Sequence, residues 1–367
     1  MFGNLSYCAQ NGFKSYAISN AKSDLDSIPD DVTFIPVKMG WGNVSPLEVC
    51  KDIYRLWKIM RSEKFDVVQY ATSNAGLYAC IAAWLARVPV RIYCQWGISY
   101  TDYTGFRFWF YKFMEKLTCW FSTSVQPDSF SNLNFAKEEK LYNPIKGCVI
   151  YNGSACGVDL KKFDVSMRDQ LKTEVLEELG INKYKRIFGF VGRIVKEKGI
   201  GELIQAFKKL NNKDCYLIFV GPIDDNHRID EDLMLWAKEQ SNVIFTGPKS
   251  NPARYYAAFD FMMLPSYREG FGMTVLEAAA MRTPSIITDI KGPTDFVKDS
   301  YNGLVCELKN VDSLCCTLQR GIEMSTDEYN KLATTAYQVV TQQFDSENYK
   351  VKFRENRESL IEKARIK

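Results

Sequence analysis

Two glutamates, Glu269 and Glu277, flank a glycine-bearing turn in segment 266–280. The apolar run 261–264 before this turn is closed by a proline and indicates a buried strand, whereas residues 274–281 are rich in helix formers. A helix start presents unpaired backbone N–H groups and the positive end of the helix dipole, which attract an anion. The pattern favours a site for a phosphorylated, hydroxyl-rich ligand, although two solvated surface glutamates would produce the same spacing.

A basic turn follows a second apolar run. Residues 186–191 lead into Gly-Arg-Ile-Val-Lys-Glu-Lys-Gly at 192–199, and an amphipathic helix comes next. Arg193 offers a planar fork of donors and Lys198 a compact charge, so together they could clamp a diphosphate and stabilise it as a leaving group. A solvated basic loop is the alternative. The order of residues matches neither a Walker loop nor a GxGxxG fingerprint.

The bulk properties narrow the class of protein. With 367 residues the chain is long enough for two domains of ordinary size. Its 47 basic and 44 acidic residues leave a net charge of +3, so no overall field favours nucleic acid as a partner. The eleven cysteines show no CxxC spacing and His227 is the single histidine, which is typical of a reduced cytosolic protein without a zinc site or histidine triad. The sequence shows neither a signal peptide nor an apolar run that would span a bilayer.

Strand-like and helix-like segments alternate in both halves of the chain. This alternation predicts an α/β protein with two doubly wound, Rossmann-like parallel sheets whose ligand cleft lies between them. A small-residue loop at 152–159 and the polar segment 161–185 indicate the boundary between the domains. Strands are expected at 15–19, 33–36, 66–70 and 90–94 in the first half, and at 186–191, 215–220, 243–246, 261–264 and 285–288 in the second.

From Gly189 to about Glu307 the chain resembles the retaining family-4 glycosyltransferases of the GT-B fold. Five landmarks in order support the resemblance: the Gly-Arg-x4-Lys-Gly turn, Val-Gly-Pro at 220–222, Phe-Thr-Gly at 245–247 with Tyr-Tyr-Ala-Ala at 255–258, the Glu-x7-Glu segment, and Asp295 through Asn-Gly-Leu at 302–304. The resemblance implies domains at 1–163 for the acceptor and 164–345 for the donor, with a helix at 346–367 crossing back to the first domain.

The resemblance also assigns roles to the residues of the two turns. Arg193 and Lys198 would hold the donor diphosphate, Glu277 would bind the ribose hydroxyls, and Glu269 would lie beside the transferred sugar. Glu269, Arg193 and Lys198 are therefore the expected catalytic residues. The expected donor-binding residues are Gly192, Arg193, Lys198, Glu269, Gly270, Phe271, Gly272, Thr274, Val275 and Glu277.

The first half shows a looser likeness to the acceptor-binding half of the family. Trp96 and Gly97 stand where the family has a His-Gly pair, so this pair is the expected acceptor side without the usual histidine. Residues 1–10 look like the middle of the first helix, and no opening strand precedes them. We therefore expect either a truncated chain or a trimmed acceptor domain.

The segment 105–121 is strongly aromatic, with interleaved Arg107, Lys112 and Lys116. Such a segment could lie in a bilayer interface, which would suit a lipid-linked acceptor. The alternative is a core helix packed between sheet strands, since aromatic stripes usually serve packing.

The resemblance implies a hexosyltransferase of the EC 2.4 class that uses a nucleotide sugar, a UDP-sugar, as co-substrate. It would transfer the sugar with retention to a glycan or lipid-linked acceptor of a bacterial-type surface polysaccharide or glycolipid. No cofactor and no metal is expected, and the expected location is the cytoplasm or the inner face of the membrane. A GT-B sugar-nucleotide epimerase and a non-catalytic sugar-nucleotide-binding module remain alternatives.

Overall fold

The computed structural model describes residues 2–19, 28–40, 45–224 and 229–366, which form two compact units. Unit 1 comprises residues 1–156 and 347–367, and unit 2 comprises residues 157–346. Unit 2 thus begins ahead of the boundary expected after residue 163. Val158 forms a parallel bridge with Asp345, and Phe163 is buried in the core of unit 2, so the intervening residues belong to that unit.

Unit 1 contains two parallel sheets among its described residues. Strands β1 and β2 pair with each other, and β3, β4 and β5 form a three-stranded sheet in sequence order. The elements are α1 (Phe2–Gln10), β1 (Tyr16–Ser19), β2 (Thr33–Pro36), α2 (Pro46–Glu63), β3 (Val67–Ala71), α3 (Ser73–Leu85), β4 (Val90–Gln95), α4 (Gly105–Phe121), β5 (Ser124–Pro127) and α5 (Phe130–Glu138).

Helix α2 shows how local sequence sets an element. Ser45 and Glu48 form a capping box at its start, each side chain accepting from the backbone N–H of the other. Lys64 ends it in the left-handed conformation.

Unit 2 contains a six-stranded, all-parallel sheet in the order β11-β10-β9-β6-β7-β8. Its elements are α6 (Arg168–Glu178), β6 (Arg186–Val191), α7 (Ile200–Leu210), β7 (Cys215–Val220), α8 (Glu231–Glu239), β8 (Val243–Gly247), α9 (Ala253–Ala258), β9 (Phe261–Leu264), α10 (Met273–Ala280), β10 (Ser285–Thr288), α11 (Pro293–Phe296), β11 (Gly303–Cys306), α12 (Val311–Glu323) and α13 (Thr326–Gln343).

Successive residues of each strand in unit 2 enter different cores. Ile187 and Ile218 lie in the core that contains the helix residues Leu276 and Ala279. Phe188 lies in the other core, where it packs with α7 on the opposite face of the sheet. Side chains alternate across a strand, so this division means that helices cover both faces of the sheet. The prediction of doubly wound parallel sheets is therefore confirmed.

The last helix, α14 (Ser346–Ile366), belongs to unit 1 from Glu347 onwards. Its residues Leu360 and Ile361 pack against Val90 and Ile92 of β4. The helix thus covers one face of the three-stranded sheet.

Candidate active site

The site in unit 2 lies where the strand order reverses. From β6 the chain continues to β7 and β8 on one side, and from β9 it continues to β10 and β11 on the other. In open parallel sheets, ligands bind outside the carboxyl ends of the strands at such a switch point. The basic turn 192–199 follows β6 and the glutamate loop 265–272 follows β9, so both predicted turns leave the sheet there.

The two loops are in direct backbone contact. The Tyr267 N–H donates to the Glu197 carbonyl at 2.9 Å. A Cβ atom on Gly199 would lie 1.9 Å from the Pro265 carbonyl oxygen, and Gly199 has a φ of +67°. Only glycine fits this position, because any side chain would both strain the backbone and collide with the glutamate loop.

Lys198 and Glu269 meet at this contact. The Lys198 Nζ lies 2.5 Å from Glu269 Oε1, and the buried Ser266 hydroxyl donates to the same oxygen at 2.7 Å. The side chains of Lys198 and Glu269 are 27% and 13% exposed. Partial burial lowers the local dielectric and strengthens the pair relative to one in water. The structure therefore brings together two of the predicted site residues.

Arg193 has a different partner. Its guanidinium lies 3.4 Å from Asp224 Oδ2, and its side chain is 63% exposed, so this ion pair is a weak one. The preceding Gly192 has a φ of +149°, at the edge of the range that side chains avoid. The cation of Arg193 is thus available to a ligand at little cost.

Glu277 accepts a hydrogen bond of 2.8 Å from the hydroxyl of Tyr256, a fully buried residue. Burial raises the pKa of the Glu277 carboxyl, while the Tyr256 hydrogen bond and the charge of Lys162 act in the opposite direction. The carboxylate is thus held in place by one donor and is partly shielded from water.

Helix α10 begins beside the glutamate loop. Its N-cap is Gly272, with a φ of +85°, and neither a side-chain cap nor an acidic residue occupies its first turn. Thr274 and Val275 lie in that first turn and Phe271 is buried just before it. The positive end of the helix therefore faces no acidic side chain of its own.

Sequence reasoning assigned no role to three residues of this site. Tyr256 and Ser266 belong to motifs that the sequence shows, but their hydrogen-bond partners depend on which strands lie side by side in the sheet. Gly292, after β10, is the third: a Cβ atom there would lie 2.2 Å from the Gly270 carbonyl oxygen. Nothing in the sequence indicates that this third loop abuts the glutamate loop.

In unit 1, Trp96 and Gly97 follow β4. Trp96 lines a hollow at the carboxyl ends of β3, β4 and β5, together with Gln69, Gln126 and residues of α14. Gly97 has a φ of +89° and donates its N–H to the Gln95 carbonyl.

Helix α4 is only half packed. Glu115, Thr118 and Cys119 are buried on one face. On the opposite face, five aromatic side chains are 45–83% exposed, namely Phe106, Trp109, Phe110, Phe113 and Trp120. Packing as a core helix accounts for the buried face alone, because no neighbouring element within the described part of the chain covers the aromatic face.

Within the described ranges, no group of three His, Cys, Asp or Glu residues is arranged to hold a metal ion. In the same ranges, no helix is long and apolar enough to cross a bilayer. His227 lies outside the described residues.

Comparison with known proteins identifies the family to which the chain is similar. The model of the glycosyl transferases group 1 matches residues 172–339, and that of the glycosyl transferase 4-like proteins matches residues 5–129. The capsular polysaccharide biosynthesis glycosyltransferase CapM of Staphylococcus aureus is 30% identical over 322 residues, which is 84% of this chain and 80% of CapM.

Two further proteins are similar over most of the chain. The UDP-Gal:alpha-D-GlcNAc-diphosphoundecaprenol alpha-1,3-galactosyltransferase of Escherichia coli is 27% identical over 308 residues, 80% of this chain and 76% of the enzyme. The crystal structure of a glycosyltransferase from Rickettsia africae aligns with a TM-score of 0.76 at 20% identity, covering 98% of this chain and 94% of that one.

Proposed function

Since this chain belongs to the group 1 glycosyl transferases, a GT-B family of EC 2.4 enzymes, we propose that it transfers a sugar from a UDP-sugar, with retention, to a glycan or lipid-linked acceptor. The product would be part of a surface polysaccharide or glycoconjugate. The single observation that supports this most is the convergence of Lys198, Glu269 and the start of α10 at the switch point of unit 2.

Each residue of the candidate site suits one part of the donor. Arg193 and Lys198 would bind the diphosphate, and the uncapped start of α10 would add backbone donors to it. The Glu277 carboxyl, which Tyr256 holds in place, suits the vicinal diol of the ribose as a hydrogen-bond acceptor. Glu269 would lie beside the transferred sugar, and the backbone from Gly270 to Val275 would contact its hydroxyls.

The choice of a UDP-sugar rests on the named donor of the similar Escherichia coli enzyme, which is UDP-galactose. The same relative acts on a diphosphoundecaprenol-linked sugar, and CapM belongs to capsule synthesis. These relatives support a lipid-linked glycan as acceptor class. In this proposal unit 1 binds the acceptor and unit 2 binds the donor.

The proposed reaction is a front-face substitution. The acceptor hydroxyl oxygen attacks the anomeric carbon on the side from which the diphosphate leaves, and the departing phosphate oxygen takes the hydroxyl proton. Lys198 and Arg193 would stabilise the charge that develops on the diphosphate. A glycosidase-type double displacement would instead need a nucleophilic carboxylate, and Glu269 already accepts from Lys198 and Ser266.

Helix α4 would bring the enzyme to a lipid-linked acceptor. Its exposed face combines Trp109 and Trp120 with the exposed cations Arg107 and Lys116. Aromatic rings favour the interface between water and acyl chains, and cations favour anionic headgroups. We place α4 at the membrane surface, with its aromatic face buried among the headgroups.

A panel of UDP-, GDP- and ADP-sugars, each with and without an undecaprenyl-diphosphate-linked sugar, tests the function. Acceptor-dependent release of UDP is the expected result. An isomerised sugar without release would indicate an epimerase, and binding with neither outcome would indicate a non-catalytic module. Either result would overturn the proposal.

A further inference from the structure

Ser266 is a polar residue of the glutamate loop that is fully buried. Its hydroxyl donates to Glu269 Oε1 at 2.7 Å. The same carboxylate oxygen lies 2.5 Å from the Lys198 ammonium, and the Glu269 side chain is only 13% exposed. One oxygen of Glu269 is therefore held by two donors, a neutral one from its own loop and a charged one from the basic turn.

The backbone around Ser266 is itself fixed by neighbouring loops. Thr288, a buried residue at the end of β10, donates its hydroxyl to the Ser266 carbonyl at 2.6 Å. The next residue of the loop, Tyr267, donates its N–H to the Glu197 carbonyl at 2.9 Å. A group is held precisely when the residue that supports it is locked by its own contacts. Ser266 is thus a rigid support for the carboxylate of Glu269.

The two donors to Glu269 would respond differently to a bound sugar nucleotide. In the proposed function Lys198 binds the diphosphate, which competes with Glu269 for the ammonium group. The Ser266 hydroxyl is buried, so the ligand would not draw it away. A partly buried carboxylate that loses a donor is destabilised, and a displacement of about 1 Å in a reacting group can lower a rate strongly.

We propose that Ser266 is a positioning residue for sugar transfer. It holds the Glu269 carboxylate beside the transferred sugar after the diphosphate has engaged Lys198. This inference rests on the proposed function and deepens it, because it assigns the two donors of Glu269 to different stages of the reaction. The alternative is a serine that only stabilises the glutamate loop.

Ser266→Ala tests the inference, because it removes the hydroxyl and leaves Glu269 and Lys198 in the chain. With the UDP-sugar of the donor panel that the wild type transfers, kcat for acceptor-dependent UDP release should fall by about tenfold, the effect of losing a hydrogen bond to a charged group. UDP carries no sugar, so its affinity in calorimetric titration should equal that of the wild type.

Ser285→Ala is the matched control. Ser285 lies in β10, is 2% exposed, and has a hydroxyl without a hydrogen-bond partner among the described residues. The control variant should therefore retain both kcat and UDP affinity.

A double-mutant cycle separates positioning from loop stability. If Ser266 acts through the Glu269 carboxylate, Ser266→Ala should cause no further loss of kcat in the Glu269→Gln background. A serine that only stabilises the loop would have the same effect in both backgrounds.

Ser266→Cys keeps a weak S–H donor in place of the hydroxyl and should give a kcat between those of the wild type and Ser266→Ala. It also carries the test if the alanine variant does not fold. Wild-type kcat in Ser266→Ala or Ser266→Cys, or an equal loss in the two backgrounds, would overturn the inference and leave the proposed function intact. A wild-type chain that binds UDP but transfers sugar from no UDP-sugar would instead overturn the proposed function, and the inference with it.

Discussion

Lys198 and Glu269, which are 71 positions apart in the sequence, form an ion pair with 2.5 Å between Nζ and Oε1. The pair joins the basic turn after β6 to the glutamate loop after β9. In the free site, Glu269 holds the Lys198 ammonium group where the donor diphosphate is expected to bind. A bound diphosphate would compete with Glu269 for this ammonium group.

Lys198→Ala should lower kcat at saturating donor by about 10²- to 10³-fold, because the charge on the departing diphosphate loses its stabilising cation. The measurement is acceptor-dependent release of UDP. Lys196→Ala, an exposed lysine in the same turn, is the matched control and should retain turnover. Unchanged kcat for Lys198→Ala would refute the clamp.

Glu277→Gln should weaken UDP binding by about ten- to a hundredfold, because an amide replaces the charged acceptor of two ribose hydroxyls. Calorimetric titration with UDP measures the effect. Glu323→Gln, an exposed glutamate of the same unit, serves as the control. Equal affinities of Glu277→Gln and the wild type would exclude the ribose role.

The pH dependence of UDP binding should report the raised pKa of Glu277. Binding needs the ionised form, so affinity is full above this pKa and falls as the pH drops through it. Removing the Tyr256 hydrogen bond, which favours ionisation, should raise the pKa further, so Tyr256→Phe should lose affinity at a higher pH than the wild type.

Glu277→Gln provides the baseline for this titration, since it shows only the protonation of the nucleotide phosphates. Protonation of Glu277 at low pH should not lower the free energy of unfolding. A carboxyl whose folded pKa is raised destabilises the ionised fold, and that cost disappears as the pH falls. Identical pH profiles for wild type and Glu277→Gln would contradict the prediction.

Gly199→Ala should destabilise unit 2 by about 3 kcal/mol or more, since the new Cβ would collide with the Pro265 carbonyl in addition to straining the backbone. Gly180→Ala is a close control: its φ is +66°, and nothing lies within 4 Å of its Cβ position. It should cost about 1 kcal/mol. Thermal unfolding compares the two, and equal Tm values would show that the loop contact is not tight.

The double substitution Trp109→Ser and Phe113→Ser should abolish sedimentation of the protein with vesicles of phosphatidylcholine and phosphatidylglycerol. These side chains are 67% and 58% exposed, so their replacement should leave the fold intact. Leu235→Ser, 58% exposed in unit 2, is the control. Arg107→Gln with Lys116→Gln should remove only the preference for phosphatidylglycerol. If the aromatic double variant sediments with vesicles as the wild type does, α4 is not the membrane-binding surface.

The strands of unit 2 were largely predictable. Four of them, at 186–191, 215–220, 261–264 and 285–288, have the expected bounds, because continuous apolar runs mark strands buried on both faces. Strands β5 and β11 were missed. Ser124–Pro127 contains two polar residues and a proline, and Gly303–Cys306 opens with a glycine, so neighbouring strands and not local propensity form them.

The contacts within the candidate site were not predictable from the sequence, and the roles of its residues stay predictions. Glu269, Glu277 and the basic turn follow from spacing, and the family and the GT-B fold expected from them are confirmed. The Lys198 pair with Glu269 depends on β6 and β9 being neighbours, although two strands lie between them in the sequence. The exposed aromatic face of α4 has the same origin, since the alternation of residues does not reveal which face remains uncovered.

The assignment of α14 to unit 1 has a consequence for biosynthesis. Unit 2 is one continuous stretch of the chain, residues 157–346. In unit 1, by contrast, Val90 and Ile92 pack against Leu360 and Ile361, which are translated after all of unit 2. Domains fold as units while the chain emerges from the ribosome. We therefore expect unit 2 to finish folding before unit 1, with one face of the β3–β5 sheet uncovered until Leu360 and Ile361 have been translated.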